Sequence, residues 1–206
     1  MLLIGQFDSP FVRRVGIALE LYGIAYEHRP WSVWRDAEQI APYNPLLRVP
    51  TLVLDSGESL LDSAAILDAL DEQVGPERAL LPRSGPARRD GLRVMALATG
   101  LGDKAVSYFY EKALHPEVSE KWVSRCETQI RGVLTALDAD RTRRTTEHWL
   151  GKSLSHADIA VACVLRFLTD SSPGAFDLAS FPALATHSAG CESMALFRKI
   201  SQPFTV

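Results

Sequence analysis

The spacing of apolar residues changes character once along the chain. As far as Gly75, short runs of strand type alternate with helical spacing; beyond Pro86 only helical spacing recurs. Leu2-Leu3-Ile4-Gly5 predicts a strand, and Asp8-Ser9-Pro10 predicts a helix start with Ser9 as N-cap and Pro10 in the first turn. Val12, Val15, Leu19 and Tyr22 give that helix one apolar face, and Gly23 can end it in the left-handed conformation. Ala25 to Arg29 predicts a second strand, parallel to the first if the crossover is right-handed. An irregular stretch with Trp31 and Trp34 leads to a short helix at 36–41, which Pro42-Tyr43-Asn44-Pro45 turns aside. Thr51 to Leu54 and Ser59 to Leu61, around the turn Asp55-Ser56-Gly57-Glu58, predict a hairpin. Asp62 and Ser63 then open a helix carrying Ile66, Leu67, Leu70 and Val74, closed by Gly75-Pro76.

The second half predicts long helices over Arg88 to Ala113, Glu117 to Leu137 and Ala157 to Leu168, then shorter ones near Ala183 and Ser193. Pro82-Arg83-Ser84-Gly85-Pro86 breaks the chain between the halves. The expected organisation is an α/β unit over 1–79, a linker over 80–85 and an all-helical unit over 86–206. With 206 residues, 47% of them hydrophobic and 23% charged, the chain can bury a substantial core.

Charge narrows the partners. A net charge of -3 offers phosphates and anionic membranes no general attraction, so neither a nucleic acid nor a membrane is expected as partner. No stretch approaches the ~18 unbroken apolar residues of a membrane span, and the strand-like run starts at Met1 with no basic leader. Cys126, Cys163 and Cys191 lie far apart within helical patterns, which predicts buried free thiols in a reducing, cytoplasmic setting. His28, His115, His148, His156 and His187 are scattered, and no metal site is expected.

Four separated segments stand in a consistent order, three that bear on chemistry and a fourth that is structural. Ser9-Pro10-Phe11-Val12-Arg13-Arg14-Val15 resembles the start of the first helix in the serine-type glutathione transferases of bacteria. Asn44-Pro45-Leu46-Leu47-Arg48-Val49-Pro50-Thr51-Leu52 resembles that family's loop to a cis-proline and third strand. Leu61-Asp62-Ser63-Ala64-Ala65-Ile66 resembles its γ-glutamyl loop, and Ser155-His156-Ala157-Asp158-Ile159-Ala160 the capping box of its central carboxy-terminal helix. Trp122 and Glu192-Ser193-Met194 extend the likeness over nearly the whole chain.

The resemblance implies a thioredoxin-like domain followed by an all-α domain, with glutathione as co-substrate and no metal. It assigns glutathione contacts to Ser9, Phe11, Arg48, Val49, Pro50, Asp62 and Ser63. A serine before proline is ordinarily only a helix cap; here its hydroxyl would donate a hydrogen bond to the glutathione thiolate beside a helix amino terminus. A cis Val49-Pro50 bond would expose the Val49 backbone to the cysteinyl unit. Ser63 suits the γ-glutamyl carboxylate and Asp62 its ammonium group. For the glycyl carboxylate Arg48 and Arg35 are both available, with Arg48 preferred and Trp34 along the same edge. Phe7, Tyr108 and Tyr110 are candidates for the electrophile pocket, and Arg13 and Arg14 are expected to be solvent-facing or interdomain. The implied activity is conjugation of glutathione to small, largely apolar electrophiles by a homodimer. The alternatives are a related isomerase, lyase or dehalogenase, or a non-catalytic glutathione-binding or scaffold protein.

Overall fold

A computed structural model describes residues 1–204. The first part contains β1 (Leu2–Ile4), α1 (Pro10–Tyr22), β2 (Glu27–Arg29), α2 (Ala37–Ile40), β3 (Thr51–Val53), β4 (Ser59–Leu61) and α3 (Ser63–Val74). The strands form one sheet in the order β2-β1-β3-β4. β1 runs parallel to β2, with Leu3 opposite His28, and antiparallel to β3, with Leu3 opposite Leu52. β3 and β4 form the expected hairpin, while β2 spans three residues of the predicted five. This is the thioredoxin-like arrangement.

The remainder is helical: α4 (Gly85–Leu114), α5 (Glu120–Arg143), α6 (His156–Ser171), a 3-10 turn at Leu178–Ser180, α7 (Pro182–Ser193) and α8 (Ala195–Lys199). Helix α4 begins three residues before the predicted Arg88, and α5 runs six residues beyond Leu137. Val94, Leu101, Ile130, Leu134, Leu137, Val161 and Leu165 form its core with Trp149. At the head of α6 the Asp158 carboxylate accepts the Ser155 N–H at 2.9 Å and the Trp149 N–H at 2.9 Å, the predicted capping box.

Helix α1 is where the two parts meet. Ser9 caps it, Pro10 opens it, and Gly23 ends it at φ +65°. Val12, Val15 and Leu19 pack against Leu3, Leu52, Ile66 and Leu70 beneath the sheet. Ile17, on another face, packs against Ile159, Cys163, Phe197 and Ile200 from the helical part. Both faces are therefore covered, which corrects the solvent-facing alternative for Arg13 and Arg14: they are 3% and 1% exposed. Arg13 donates from Nη1 to Glu192 Oε1 at 2.6 Å and from Nη2 to Glu192 Oε2 at 2.8 Å. It also reaches the carbonyls of Ile200 and Phe197, each at 2.8 Å. Such bidentate pairing compensates a buried guanidinium.

A second interdomain contact is polar. Asp71 of α3 accepts from Tyr22 Oη, from the Leu80 N–H at 3.2 Å and from His156 Nε2 at 2.9 Å. Burial pushes the Asp71 pKa up, but the hydrogen bonds from His156, Tyr22 and Leu80 outweigh it and hold the carboxyl below its ordinary value. A carboxylate whose pKa is depressed by folding contributes stability above its unfolded pKa of about 3.9, and loses it as pH falls through the folded value. Asp71→Asn is expected to cost about 2 kcal/mol at neutral pH. In urea titrations its deficit relative to the unaltered protein should narrow below about pH 4; a deficit constant with pH would show that the carboxylate charge contributes nothing.

Candidate functional site

The loops at the carboxyl ends of β1 and β2, the loop before β3, and the start of α3 all face helix α4, and two adjoining cavities open between them. The smaller, of about 220 Å³, is lined by Arg14, Asn44, Arg48, Val49, Pro50, Asp62, Ser63, Thr99 and Asp103, among others. The larger, of about 720 Å³, is lined by Ser9, Trp31, Trp34, Arg35, Val106, Phe109, Tyr110, Phe167 and Phe204, among others. Phe11, Arg48, Val49 and Asp103 belong to both walls, so the cavities meet along one seam.

Local structure fixes the seam. Asn44 Nδ2 donates to the Arg48 carbonyl at 2.8 Å and to Thr51 Oγ1 at 3.1 Å, while its Oδ1 accepts the Leu46 N–H at 3.0 Å. The loop is thereby held around the cis Val49-Pro50 bond. Gly5 is needed beneath it: its φ is +128°, and a β-carbon there would lie 2.7 Å from Val49 Cβ. Among the described residues Val49, which lines both cavities, makes no backbone–backbone hydrogen bond, so its N–H and C=O are not taken up by secondary structure. Asp62, at φ +68°, caps α3 by accepting the Ala64 N–H at 2.7 Å. The first turn of α3, with the buried Ser63, closes the small cavity.

Ser9 has the same relation to α1. Its Oγ accepts the Val12 N–H at 3.5 Å, a long cap, and the residue lines the large cavity at the helix amino terminus. Its hydroxyl proton is not used by that cap, since the oxygen acts there as acceptor.

Arg14 is the residue that the sequence reading left unused. It lines the small cavity, and none of its three guanidinium nitrogens has a partner among the described residues. Burial lowers its pKa to about 10, against an opposing pull from Asp62, so it remains charged at neutral pH. The Asp103 carboxyl, on the opposite wall, is pushed up by burial, with Arg48 and Lys104 pulling the other way. The signal for Arg14 lay in its setting, a charge inside the apolar run Val12, Val15, Ile17 and Ala18.

The cavities bring together Ser9, Phe11, Arg48, Val49, Asp62 and Ser63 with Trp34, Arg35 and Tyr110. Arg48 lies 3.8 Å from Asp103, and Arg35 lies 3.1 Å from Asp36; both arginines are exposed. Trp34, 64% exposed, donates from Nε1 to Tyr110 Oη at 3.1 Å across the cleft. Two expectations are corrected. Tyr108 is 3% exposed and turned into the helical core, its ring 5.4 Å from that of Phe176. Residues two apart on a helix lie on different faces, so Tyr110 and Tyr108 do not share the cleft; Val106, Phe109, Tyr110 and Ala113 do. Phe7 lines neither cavity: its ring stacks on His28 at 3.9 Å and lies against Gly16 and Ile200.

Among the described residues no group of three or more His, Cys, Asp or Glu side chains could hold a metal ion. All three cysteines are buried, and burial raises the thiols of Cys163 and Cys191 to about 12. They stay protonated and supply no nucleophile. No helix among the described residues is long and apolar enough to cross a membrane.

Residues 3–78 match the family model of the glutathione S-transferase N-terminal domain, and residues 120–190 that of the glutathione S-transferase C-terminal domain. The chain is 31% identical over 172 residues to an uncharacterized GST-like protein of Escherichia coli, YibF, covering 82% of each chain. It is 30% identical over 183 residues to a maleylacetoacetate isomerase of Mus musculus, covering 84% of this chain and 82% of the relative. Among solved structures, a glutathione S-transferase of Methylobacillus flagellatus with glutathione bound superposes with a TM-score of 0.88 at 28% identity, over 97% of this chain and 98% of that one.

The long Ser9 cap generates a test of its own. Ser9→Ala is expected to cost about 0.5 kcal/mol of stability, the low end for a lost N-cap. Urea denaturation measures this, and a loss above about 2 kcal/mol would show that the hydroxyl is committed to holding the helix.

Proposed function

The chain belongs to the glutathione S-transferase family, and from that premise we propose that it ionises glutathione at Ser9 and adds the thiolate to small, largely apolar electrophiles. The observation that carries this reading is the seam itself: a charged cavity and an aromatic one meet beside a hydroxyl at a helix amino terminus. Glutathione needs both charge signs at its glutamyl end, an extended backbone partner for its cysteine and a cation for its glycine. Arg14 and Ser63 suit the α-carboxylate, Asp62 and Asp103 the α-ammonium, and the free Val49 edge the cysteinyl unit. Arg48, on both walls, is preferred over Arg35 for the glycyl carboxylate. Phe11 and Pro50 support the peptide from below, and Trp34 flanks it.

A free thiol has a pKa near 8.5, and only the thiolate attacks well. The S–H proton passes to solvent, and the Ser9 O–H donates to the remaining thiolate while the α1 dipole favours its charge. A sulfur lone pair then forms the bond to the electrophilic carbon, and the displaced electron pair leaves with the departing group or takes a proton from water. Ser9 donates a hydrogen bond throughout and is never itself the nucleophile.

Isomerisation is the second reading, favoured by the likeness to a maleylacetoacetate isomerase. The same thiolate would serve it. The cations on the large cavity's wall are Arg35 and Arg48, both exposed, and one of them is needed for glutathione; the remaining wall suits an apolar acceptor better than an anionic one. A non-catalytic scaffold has no use for an unpaired buried guanidinium facing a polar cavity.

Calorimetry is expected to show saturable glutathione binding, and its absence at millimolar concentration would remove the proposal. Ser9→Ala should lower kcat/KM for an aryl halide about tenfold or more with little change in glutathione affinity, since a hydrogen bond to a charged group contributes about 1.5–3 kcal/mol. Arg14→Met should weaken glutathione binding about tenfold or more without lowering the melting temperature of the unliganded protein, because it removes an uncompensated buried charge. A melting temperature that falls while affinity stays would make Arg14 a structural residue. A homodimer in the cytoplasm belongs to the same reading, supported by the exposed Leu46, Leu47 and Leu92 and by three reduced thiols. Equilibrium sedimentation at micromolar concentration is expected to return twice the chain mass of 22.7 kDa.

A further inference from the structure

Three rings from three parts of the chain meet on the lining of the large cavity. Phe109 comes from α4, Phe167 from α6 and Phe204 from the segment after α8. Phe204 meets Phe109 edge to face at 5.1 Å and Phe167 at 5.6 Å. The first two rings are carried by helices rooted in the helical core. Phe204 is not: among the described residues, 201–204 make no backbone–backbone hydrogen bond.

Two contacts bring this tail to the cavity. The Ile200 carbonyl accepts from Arg13 Nε at 2.8 Å, which ties the end of α8 to α1. Gln202 Oε1 then accepts the Phe7 N–H at 3.3 Å, on the loop that presents Ser9. The tail is thus fixed at its root and braced against the Ser9 loop, and it carries Phe204, a half-buried ring packed on the helical core and on the other two rings.

We propose that Phe204 sets the length of electrophile that the cavity accepts, as the replaceable part of an otherwise rigid wall. This rests on the glutathione reading above and adds the specificity determinant to it. Shortening the side chain enlarges the apolar cavity at this wall, so an acceptor with a longer apolar group gains contacts while a short one gains none. Phe204 lines the large cavity and not the small one, so glutathione placed along the seam is not expected to touch the ring.

The test uses the full chain and calorimetric binding of glutathione, S-methylglutathione and S-hexylglutathione, the last two as product analogues of different reach. In Phe204→Ala the preference for the hexyl over the methyl conjugate is expected to rise about tenfold, the scale on which apolar pockets discriminate chain length. In Phe204→Trp it should fall, and glutathione affinity should stay within about twofold in both variants. Phe204→Leu, which keeps an apolar anchor, should give an intermediate preference and serves if the alanine variant does not fold. An unchanged preference in the alanine or leucine variant overturns the proposal, as does a parallel loss for all three ligands, which would make the tail a general support. If the unaltered protein binds no glutathione, this proposal falls together with the functional reading; binding with an unchanged preference removes this proposal alone.

Discussion

Helix α1 is packed from two sides, by Val15 and Leu19 against the sheet core and by Ile17 against Ile159 and Phe197, so its first turn is positioned by both halves of the molecule at once. Everything placed by that turn inherits the constraint. Ser9 stands at its start, Phe11 on the seam between the cavities, and Arg13 and Arg14 in its second turn. A helix with one wet face would let the halves shift relative to Ser9. Here a shift has to break apolar contacts on one side, the Arg13–Glu192 pair, and the Asp71–His156 contact together.

The adjacent arginines of α1 are buried in opposite circumstances. Arg13 has a carboxylate and two carbonyls, so its charge is compensated inside the protein. Arg14 has no such set, and burial drives its pKa from 12.5 to about 10, a penalty on the charged form of roughly 3 kcal/mol. A bound carboxylate restores what burial removed, so part of the ligand's binding energy comes from relieving the unliganded state. The same residue type, one position apart, is in one case a strut and in the other a guanidinium without a hydrogen-bond partner on a cavity wall.

Local signals carried most of the fold. Ser9-Pro10 and Gly23 bound α1, Asp55-Ser56-Gly57-Glu58 sets the hairpin, and Asp62 starts α3; each is a short-range preference that tertiary packing leaves unopposed. The candidate site was legible where it is built from such signals, at Ser9, Val49-Pro50 and Asp62-Ser63, which all line the two cavities. It was less so where helix rotation decides: Tyr108 and Tyr110 look equivalent as residues, yet a rotation of about 200° between them puts one in the core. Arg14 and Phe204 were missed for a different reason. The setting of each depends on residues far away in sequence, Asp62 and Asp103 lining the same cavity for one and Phe109 and Phe167 for the other.

That division between near and distant determinants bears on chemistry. The position where sulfur would be held is defined by α1, which neither half can move alone. Two walls of the large cavity come instead from segments outside the long helices: the loop with Trp34, joined to α4 through the Tyr110 hydroxyl, and the tail with Phe204, joined through ring contacts and the Gln202 bond to Phe7. On the proposed function, changes in acceptor shape would be taken up at these two segments while the hydroxyl at the helix terminus stays in place. A cleft built in this way separates the requirement for one fixed nucleophile from the requirement for an adjustable pocket, because the two depend on different contacts.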